Sequence, residues 1–185
     1  MSKSAFIKDK NGNLLQSNII ITEKMISIRM FDEKYELLGY MNIFFQANKR
    51  LFLSEIYCYD EYRSLGIATI ISELSDYILR DYKGYILRGV YYPTQMSSDF
   101  KNINRTKEEL DLRARNFYQK NGYEILSYKD FIKNKDKYGY LSAEEDFIYN
   151  GEAIDSIVFK IIKDNKYDFV EDNGVIYYNG NNKRL

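Results

Sequence analysis

Histidine is absent from this chain of 185 residues, and that absence removes the Ser-His-Asp and Cys-His nucleophile pairs and the commonest base at neutral pH. Cysteine occurs once, at Cys58, so no intrachain disulfide can form, and with no histidine a structural zinc site has no ligand set. No metal is expected. Proline appears once, and no apolar run approaches the length of a membrane span. Charge of one sign is missing too: Lys+Arg and Asp+Glu both count 27, so there is no global field to draw in nucleic acid. The chain opens on polar residues rather than an apolar signal core, which leads us to expect a cytoplasmic protein with no membrane partner. Its length suits one domain with a sizeable core. Tyrosine is plentiful, at 19, but no function attaches to the tyrosines as a class.

The stretch that organises the rest runs from Leu51 to Tyr82. An apolar, aromatic-rich run from Leu51 to Tyr59 breaks at Asp60-Glu61, passes through Arg63-Ser64-Leu65-Gly66-Ile67-Ala68, and continues at helical spacing through Ile67, Ile70, Ile71, Leu74 and Ile78. Strand, turn and helix are predicted in that order. Gly66 and Ala68 are small enough for a ligand to come close, and the free N–H groups of the helix's first turn then favour an anion such as a phosphate. The Thr69 hydroxyl adds one more donor. The bland alternative is an ordinary glycine turn between a strand and a helix.

Around this centre, Ala5 to Ile7 and Leu14 to Ile21 flank the turn Lys10-Asn11-Gly12-Asn13 and predict a hairpin or meander. Met25 to Phe31, Glu36 to Gln46 and the central run, joined by short polar links, predict an antiparallel meander. Gly84 stops the helix, and Tyr85 to Tyr92 is a further strand, which a crossover helix places parallel to the central one. Pro93 to Arg105 is a long polar loop, either an acceptor-recognition element or a surface insertion. Thr106 and Glu109 have capping-box spacing for a helix reaching about Asn121, with Gly122 beyond it and Leu110, Ala114, Phe117 and Tyr118 on one face. Strands are predicted at Tyr123 to Tyr128 and Ile154 to Ile162, with a short helix near Lys129 to Asn134. Tyr167 to Val170 and Val175 to Tyr178 flank Asp172-Asn173-Gly174, a hairpin signal.

Arg63-x-x-Gly66-x-Ala68 after an apolar strand resembles the acyl-CoA pyrophosphate loop of the GNAT superfamily (GCN5-related N-acetyltransferases), whose signature is Gln/Arg-x-x-Gly-x-Gly/Ala. Ala114-Arg115-Asn116-Phe117-Tyr118-Gln119-Lys120-Asn121-Gly122-Tyr123 is similar to the family's later A-x-x-F-Y-x-K-x-G-F block, in the right order. The resemblance covers about Met25 to Tyr128 and implies an α/β (mixed α+β) fold with a central, mostly antiparallel sheet and helices on both faces. It implies one domain over 1–185, with an atypical strand segment at 1–24 and an extra C-terminal hairpin at 165–180. The family usually has one or two helices after its first strand, forming a wall of the acceptor groove; here no amphipathic helix is visible before Met25.

The resemblance further implies an acetyl-CoA-dependent N-acetyltransferase that acts on a primary amine of a small molecule or peptide by direct attack in a ternary complex. Backbone amides of Leu65, Gly66, Ile67 and Ala68, with Thr69, would bind the pyrophosphate, and Arg63 would add charge. Ile56 and Cys58 would pair through their main chain with the pantetheine arm, an N–H near Cys58 polarising the thioester carbonyl. Tyr118 aligns with a tyrosine that many members place near the thioester sulfur, where a phenol can donate to the leaving thiolate; packing is its alternative role. At Asp111 the family often has an asparagine that contacts the cofactor. Glu55 aligns with acidic residues of polyamine-type members and is the first candidate base. Strict alternation puts Glu55 and Tyr57 on one face, with Ser54, Ile56 and Cys58 on the other, so Glu55 is equally readable as a solvated or salt-bridged residue. Other readings are a non-catalytic acyl-CoA-binding or interaction protein, a structural β-rich domain, and an aminoacyl-tRNA-acetylating toxin, the last disfavoured because RNA binding needs a basic face. A homodimer is compatible with all of these.

Overall fold

Asp9 closes the first hairpin, accepting at Oδ1 from the N–H groups of Asn11 and Asn13 at 2.8 and 2.9 Å and at Oδ2 from the Asn13 side-chain amide. It joins β1 (Ser2–Lys8) to β2 (Leu14–Ile21), which pair antiparallel. The computed structural model describes residues 1–9, 11–91, 106–163 and 168–178, apart from the side chains of Asp60, Arg63 and Ser64. Its contacts fall into two units, Met1–Leu87 with Ile161–Leu185, and Arg88–Lys160.

In the first unit β2 continues into β3 (Met25–Phe31), β4 (Leu37–Gln46) and β5 (Arg50–Cys58), each antiparallel to the one before. The meander forms as its sequence predicts, because alternate apolar residues such as Ile19, Ile26, Ile28, Met41 and Ile43 have a common interior to fill. Among the described residues no helix precedes β3. Helix α1 (Ile67–Ile78) lays Ile67, Ile70, Ile71 and Leu74, one stripe at 3.6-residue spacing, over β3, β4 and β5. Gly39 permits that approach: a Cβ there would stand 2.5 Å from the Tyr57 carbonyl oxygen and 3.3 Å from Ile67 Cγ2. After a short 3-10 turn over Leu79–Tyr82, Gly84 takes φ 82° and stops the helix as expected. β6 (Ile86–Val90) then starts beside the start of β5, with Ile86 N–H donating to Lys49 C=O at 3.0 Å, as a parallel crossover requires.

The second unit holds α2 (Lys107–Lys120), β7 (Glu124–Ser127), α3 (Tyr128–Lys133), α4 (Ala143–Asp146), the small hairpin β8 (Ile148–Tyr149) and β9 (Glu152–Ala153), and β10 (Ser156–Ile161). The predicted capping box is present at Thr106 and Glu109, and Gly122 ends α2 at φ 76°. β10 pairs antiparallel with β7, and its first residue, Ser156, accepts from Tyr91 N–H just beyond β6. A buried ion pair, Arg88 with Asp146 at 3.4 Å, sits near the stacked rings of Phe131 and Phe147. Asp146 also accepts from Ser142 N–H, so its charge is compensated inside the fold.

The chain then returns to the first unit with β11 (Phe169–Asp172) and β12 (Val175–Tyr178), turned by Asn173 and Gly174 at φ 50° and 78°. This is the predicted hairpin, although Tyr167, at its expected start, lies outside the described residues. Its place was not legible: β12 pairs parallel with β1, setting Ile176 against Ala5, and extends the first unit's sheet to the order β11-β12-β1-β2-β3-β4-β5-β6. Glu171 fixes the extension to Lys3 at 2.5 Å and Arg80 at 3.5 Å, while Phe169 packs on Tyr77. The architecture is the expected mixed α+β one, a mostly antiparallel sheet flanked by helices.

Candidate functional site

Between β5 and α1 the chain makes a 3-10 turn over Asp60–Leu65 and then takes the left-handed conformation at Gly66, φ 77° and ψ 13°. That single residue redirects the backbone from strand to helix. Among the described residues no side chain caps the start of α1, and its first turn holds no acidic residue. The N–H groups of the first turn, at Ile67, Ala68 and Thr69, therefore stand without the side-chain acceptor that usually satisfies such donors. Ile67 is fully buried and anchors the turn, whereas Leu65, Gly66, Ala68 and Thr69 keep partial exposure. A Cβ built on Gly66 would meet no atom of the described residues within 4 Å, so the space beside that residue is open. The Arg63 side chain, expected to add charge here, lies outside the described residues.

Glu55 corrects one expectation. Asn42 stands opposite Glu55 but Ile43 stands opposite Leu53, so β5 carries one extra residue, a β-bulge at Ser54. The bulge resets strict alternation: Ser54 joins Glu55 in solvent while Leu53, Ile56 and Cys58 are buried. It also orients the main chain. Tyr59 N–H donates to Leu38 C=O on β4 at 3.1 Å, so by two-residue alternation the peptide groups of Ile56 and Cys58 face the edge of β5 turned away from β4.

On the outer face, Tyr40 Oη donates to Glu55 Oε1 at 2.8 Å, an interaction the sequence reading missed. The pairing follows from register, which the sequence does not state: Tyr40 lies directly opposite Tyr57 and one diagonal step from Glu55. The Tyr40 and Tyr57 rings lie 5.6 Å apart, and Tyr57 meets Tyr59 edge-on at 5.0 Å. Burial, then the Glu55 carboxylate, hold the Tyr40 phenol well above its usual range, so it stays a donor.

In the second unit, α2 presents Leu110, Asp111, Ala114, Phe117 and Tyr118 as its half-buried face. Tyr118 is ringed by Tyr91, Phe117 and Tyr123 at centroid distances of 6.0, 5.2 and 5.5 Å. Burial first, then Tyr123, push its phenol far above the ordinary value. Asp111 is engaged at both oxygens, Oδ2 accepting from Arg115 Nε at 2.6 Å and Oδ1 from Tyr91 Oη at 2.9 Å. Arg115, four residues on, holds the Asp111 carboxyl below its usual range. Tyr91 and Arg115 were not among the expected site residues, although the Asp111-to-Arg115 spacing on a helix could have disclosed the second.

The sequence matches no protein-family model and no curated protein. Solved structures do match. One is a GNAT-family acetyltransferase of Staphylococcus aureus, 12% identical, with 75% of this chain and 68% of that one covered and a TM-score of 0.51. Another is a Klebsiella pneumoniae protein described as an acyl-CoA N-acyltransferase, 12% identical, with 77% and 76% covered and a TM-score of 0.51. The fold is that of the GNAT acetyltransferases.

Proposed function

We propose that this protein is an acetyl-CoA-dependent N-acetyltransferase, transferring the acetyl group to a primary amine of a small molecule or peptide by direct attack in a ternary complex. The observation that carries the reading is the uncapped start of α1 behind a left-handed Gly66, open in front, on this fold. Amides of Leu65, Gly66, Ile67 and Ala68, with the Thr69 hydroxyl, bind the pyrophosphate, favoured by the positive end of the α1 dipole. Arg63 supplies charge at the entrance. The peptide groups of Ile56 and Cys58 hold the pantetheine arm, an orientation supported by the Tyr59–Leu38 hydrogen bond.

Acetyl-CoA supplies an activated thioester. Glu55 takes a proton from the acceptor's ammonium, directly or through water, because an alkyl amine at neutral pH arrives charged. The freed nitrogen forms the C–N bond as the C–S bond breaks, and the departing sulfur gains a proton, so that the sum is amide, CoA thiol and one proton released. The Tyr118 phenol stabilises that sulfur as a hydrogen-bond donor. Full proton transfer from a phenol held above ~10 to a thiolate whose acid has a pKa of ~8.5 is uphill, so solvent completes the thiol. Asp111 orients Arg115 and Tyr91 with one bond at each oxygen and keeps further lone pairs for the cofactor contact proposed at this position.

Calorimetry with CoA and acetyl-CoA, followed by thiol release across an amine panel, tests the reading. Submillimolar binding and amine-dependent release are expected. Tyr118→Phe should keep CoA affinity and lower kcat by about 10- to 100-fold, the worth of one hydrogen bond to a developing charge. Absence of binding would sink the proposal, while binding without release by any amine would leave a non-catalytic acyl-CoA protein.

A further inference from the structure

Lys160 is a buried cation outside the proposed chemistry. It lies on β10 with 8% of its surface exposed, where an ammonium needs partners to offset the water it has lost. Two of them are the end of α2 and the ring just beyond it: Nζ donates to the Asn121 C=O at 3.4 Å and stands 4.1 Å from the centre of the Tyr123 ring. Asn121 is the C-cap of α2, so the charge meets the negative end of the helix dipole. Both residues that Lys160 touches are in turn bonded to Tyr118. Its carbonyl accepts from Asn121 N–H at 3.1 Å and from Tyr123 N–H at 2.9 Å, and its ring meets the Tyr123 ring edge-on at 5.5 Å. Tyr91, 6.0 Å from the Tyr118 ring, is held in a similar way, with Arg115 over its face at 5.4 Å and Asp111 at its hydroxyl. Two of the rings around Tyr118 thus each carry a cation.

We infer that Lys160 is a positioning residue: through Asn121 and Tyr123 it fixes the last turn of α2 and the rotamer of Tyr118, and so aims the phenol that the acetyltransferase reading sets at the departing sulfur. The inference rests on that reading for the reaction it serves and on the contacts of Lys160 with Asn121 and Tyr123 for its geometry. A lysine suits the position because its charge is compact and carried on a flexible stem, able to serve a carbonyl and a ring face together. A neutral side chain of similar length fills the same space but takes one donor from the Asn121 carbonyl and the cation from the Tyr123 ring. A hydrogen bond to a developing charge depends steeply on where its donor stands, so a shift of about 1 Å at Tyr118 costs up to about 100-fold in rate.

The test pairs amine-dependent thiol release with fluorine NMR on full-length protein labelled with fluorotyrosine, the Tyr118 signal being assigned by its loss in Tyr118→Phe. Lys160→Met should move that signal and lower kcat about 5- to 50-fold, while CoA affinity stays within about 2-fold of native. Lys160→Gln, uncharged and shorter, is a second variant with the same expected displacement and loss. Lys160→Arg, which keeps a cation and a donor, should restore both signal and rate. In the Tyr118→Phe background Lys160→Met should change kcat by less than about 2-fold, because the group it positions is already gone. Phe131→Leu, which loosens the same unit where Phe131 stacks on Phe147, should lower Tm without moving the Tyr118 signal. Equal losses in the two backgrounds, or a Tyr118 signal that both neutral variants leave in place, would overturn the inference. A native protein that binds no CoA, or binds it without turnover, would remove the acetyltransferase reading, and the NMR comparison would then decide alone: the Tyr118 brace stands if the signal moves in Lys160→Met and returns in Lys160→Arg, and falls otherwise. Turnover with no such movement would keep the reading and discard the brace.

Discussion

Replacing Gly66 separates the backbone's needs from the ligand's. At φ 77° and ψ 13° an L-residue pays about 1–2 kcal/mol for the left-handed conformation. In a chain of this size that corresponds to a fall in Tm of about 2–8 °C for Gly66→Ala. No steric cost adds to it, since a Cβ at Gly66 meets nothing within 4 Å. Asparagine tolerates the left-handed region far better, so Gly66→Asn should melt close to the native protein while projecting a side chain into the open space. If that space receives the pyrophosphate, at least one amide bond to a charged oxygen is lost, worth about 1.5–3 kcal/mol, and CoA binds about 10- to 150-fold more weakly. Pantetheine, which lacks the phosphates, should bind both proteins alike. Calorimetry with the two ligands reads the difference directly. Unchanged CoA affinity in a well-folded Gly66→Asn protein would refute the phosphate cradle, as would an equal loss for pantetheine.

Asp111 is held below its ordinary pKa first by Arg115, so its contribution to stability is complete above ~3.9 and disappears as pH falls through the folded value. Asp111→Asn should therefore lower stability at pH 7 by less than about 1 kcal/mol, given the exposure of the pair, and a thermal-melt series should find the difference in Tm closed in strong acid. Phe169→Ala, which removes the ring packed on Tyr77, should cost about 3–5 kcal/mol by chemical denaturation; a loss under about 1 kcal/mol would mean that the C-terminal hairpin is not an integral part of the first unit. Gly39→Ala, whose Cβ would stand 2.5 Å from the Tyr57 carbonyl oxygen, should cost about 1–3 kcal/mol and weaken CoA binding by displacing β5; a variant as stable as the native protein would contradict the close approach.

The meander, the strand-turn-helix centre and the capping box were legible because each rests on a local rule: period two in β3 and β4, period 3.6 in α1, and Thr106 three residues before Glu109. What local rules do not encode was missed. The parallel pairing of β12 with β1 joins segments about 170 residues apart, and nothing in Val175 to Tyr178 names its partner. The bulge at Ser54 leaves no mark in a sequence where Ser54-Glu55 fits an alternating strand as well as an interrupted one. Of the site, Gly66 and its neighbours could be read because a conformation and a residue type coincide there. Tyr40 could not, because its role depends on the register of two strands.

The lack of histidine and the state of the tyrosines bear on the same proton. Tyr40, Tyr91 and Tyr118 are each pushed above the ordinary phenol range, chiefly by burial, and each therefore serves as a hydrogen-bond donor at neutral pH rather than a base. Two of them spend the donor on a carboxylate, Tyr40 on Glu55 and Tyr91 on Asp111. Asp111 is further neutralised by Arg115, whereas Glu55 keeps an oxygen for a proton to reach. Tyr118 has no carboxylate partner among the described residues and is ringed by aromatic neighbours instead. On the proposed acetyltransferase reading the work divides along these pairings: the carboxylate with an open oxygen is the proposed proton acceptor, the phenol without a carboxylate is the proposed donor, and the acid on α2, engaged twice, holds its neighbours in place.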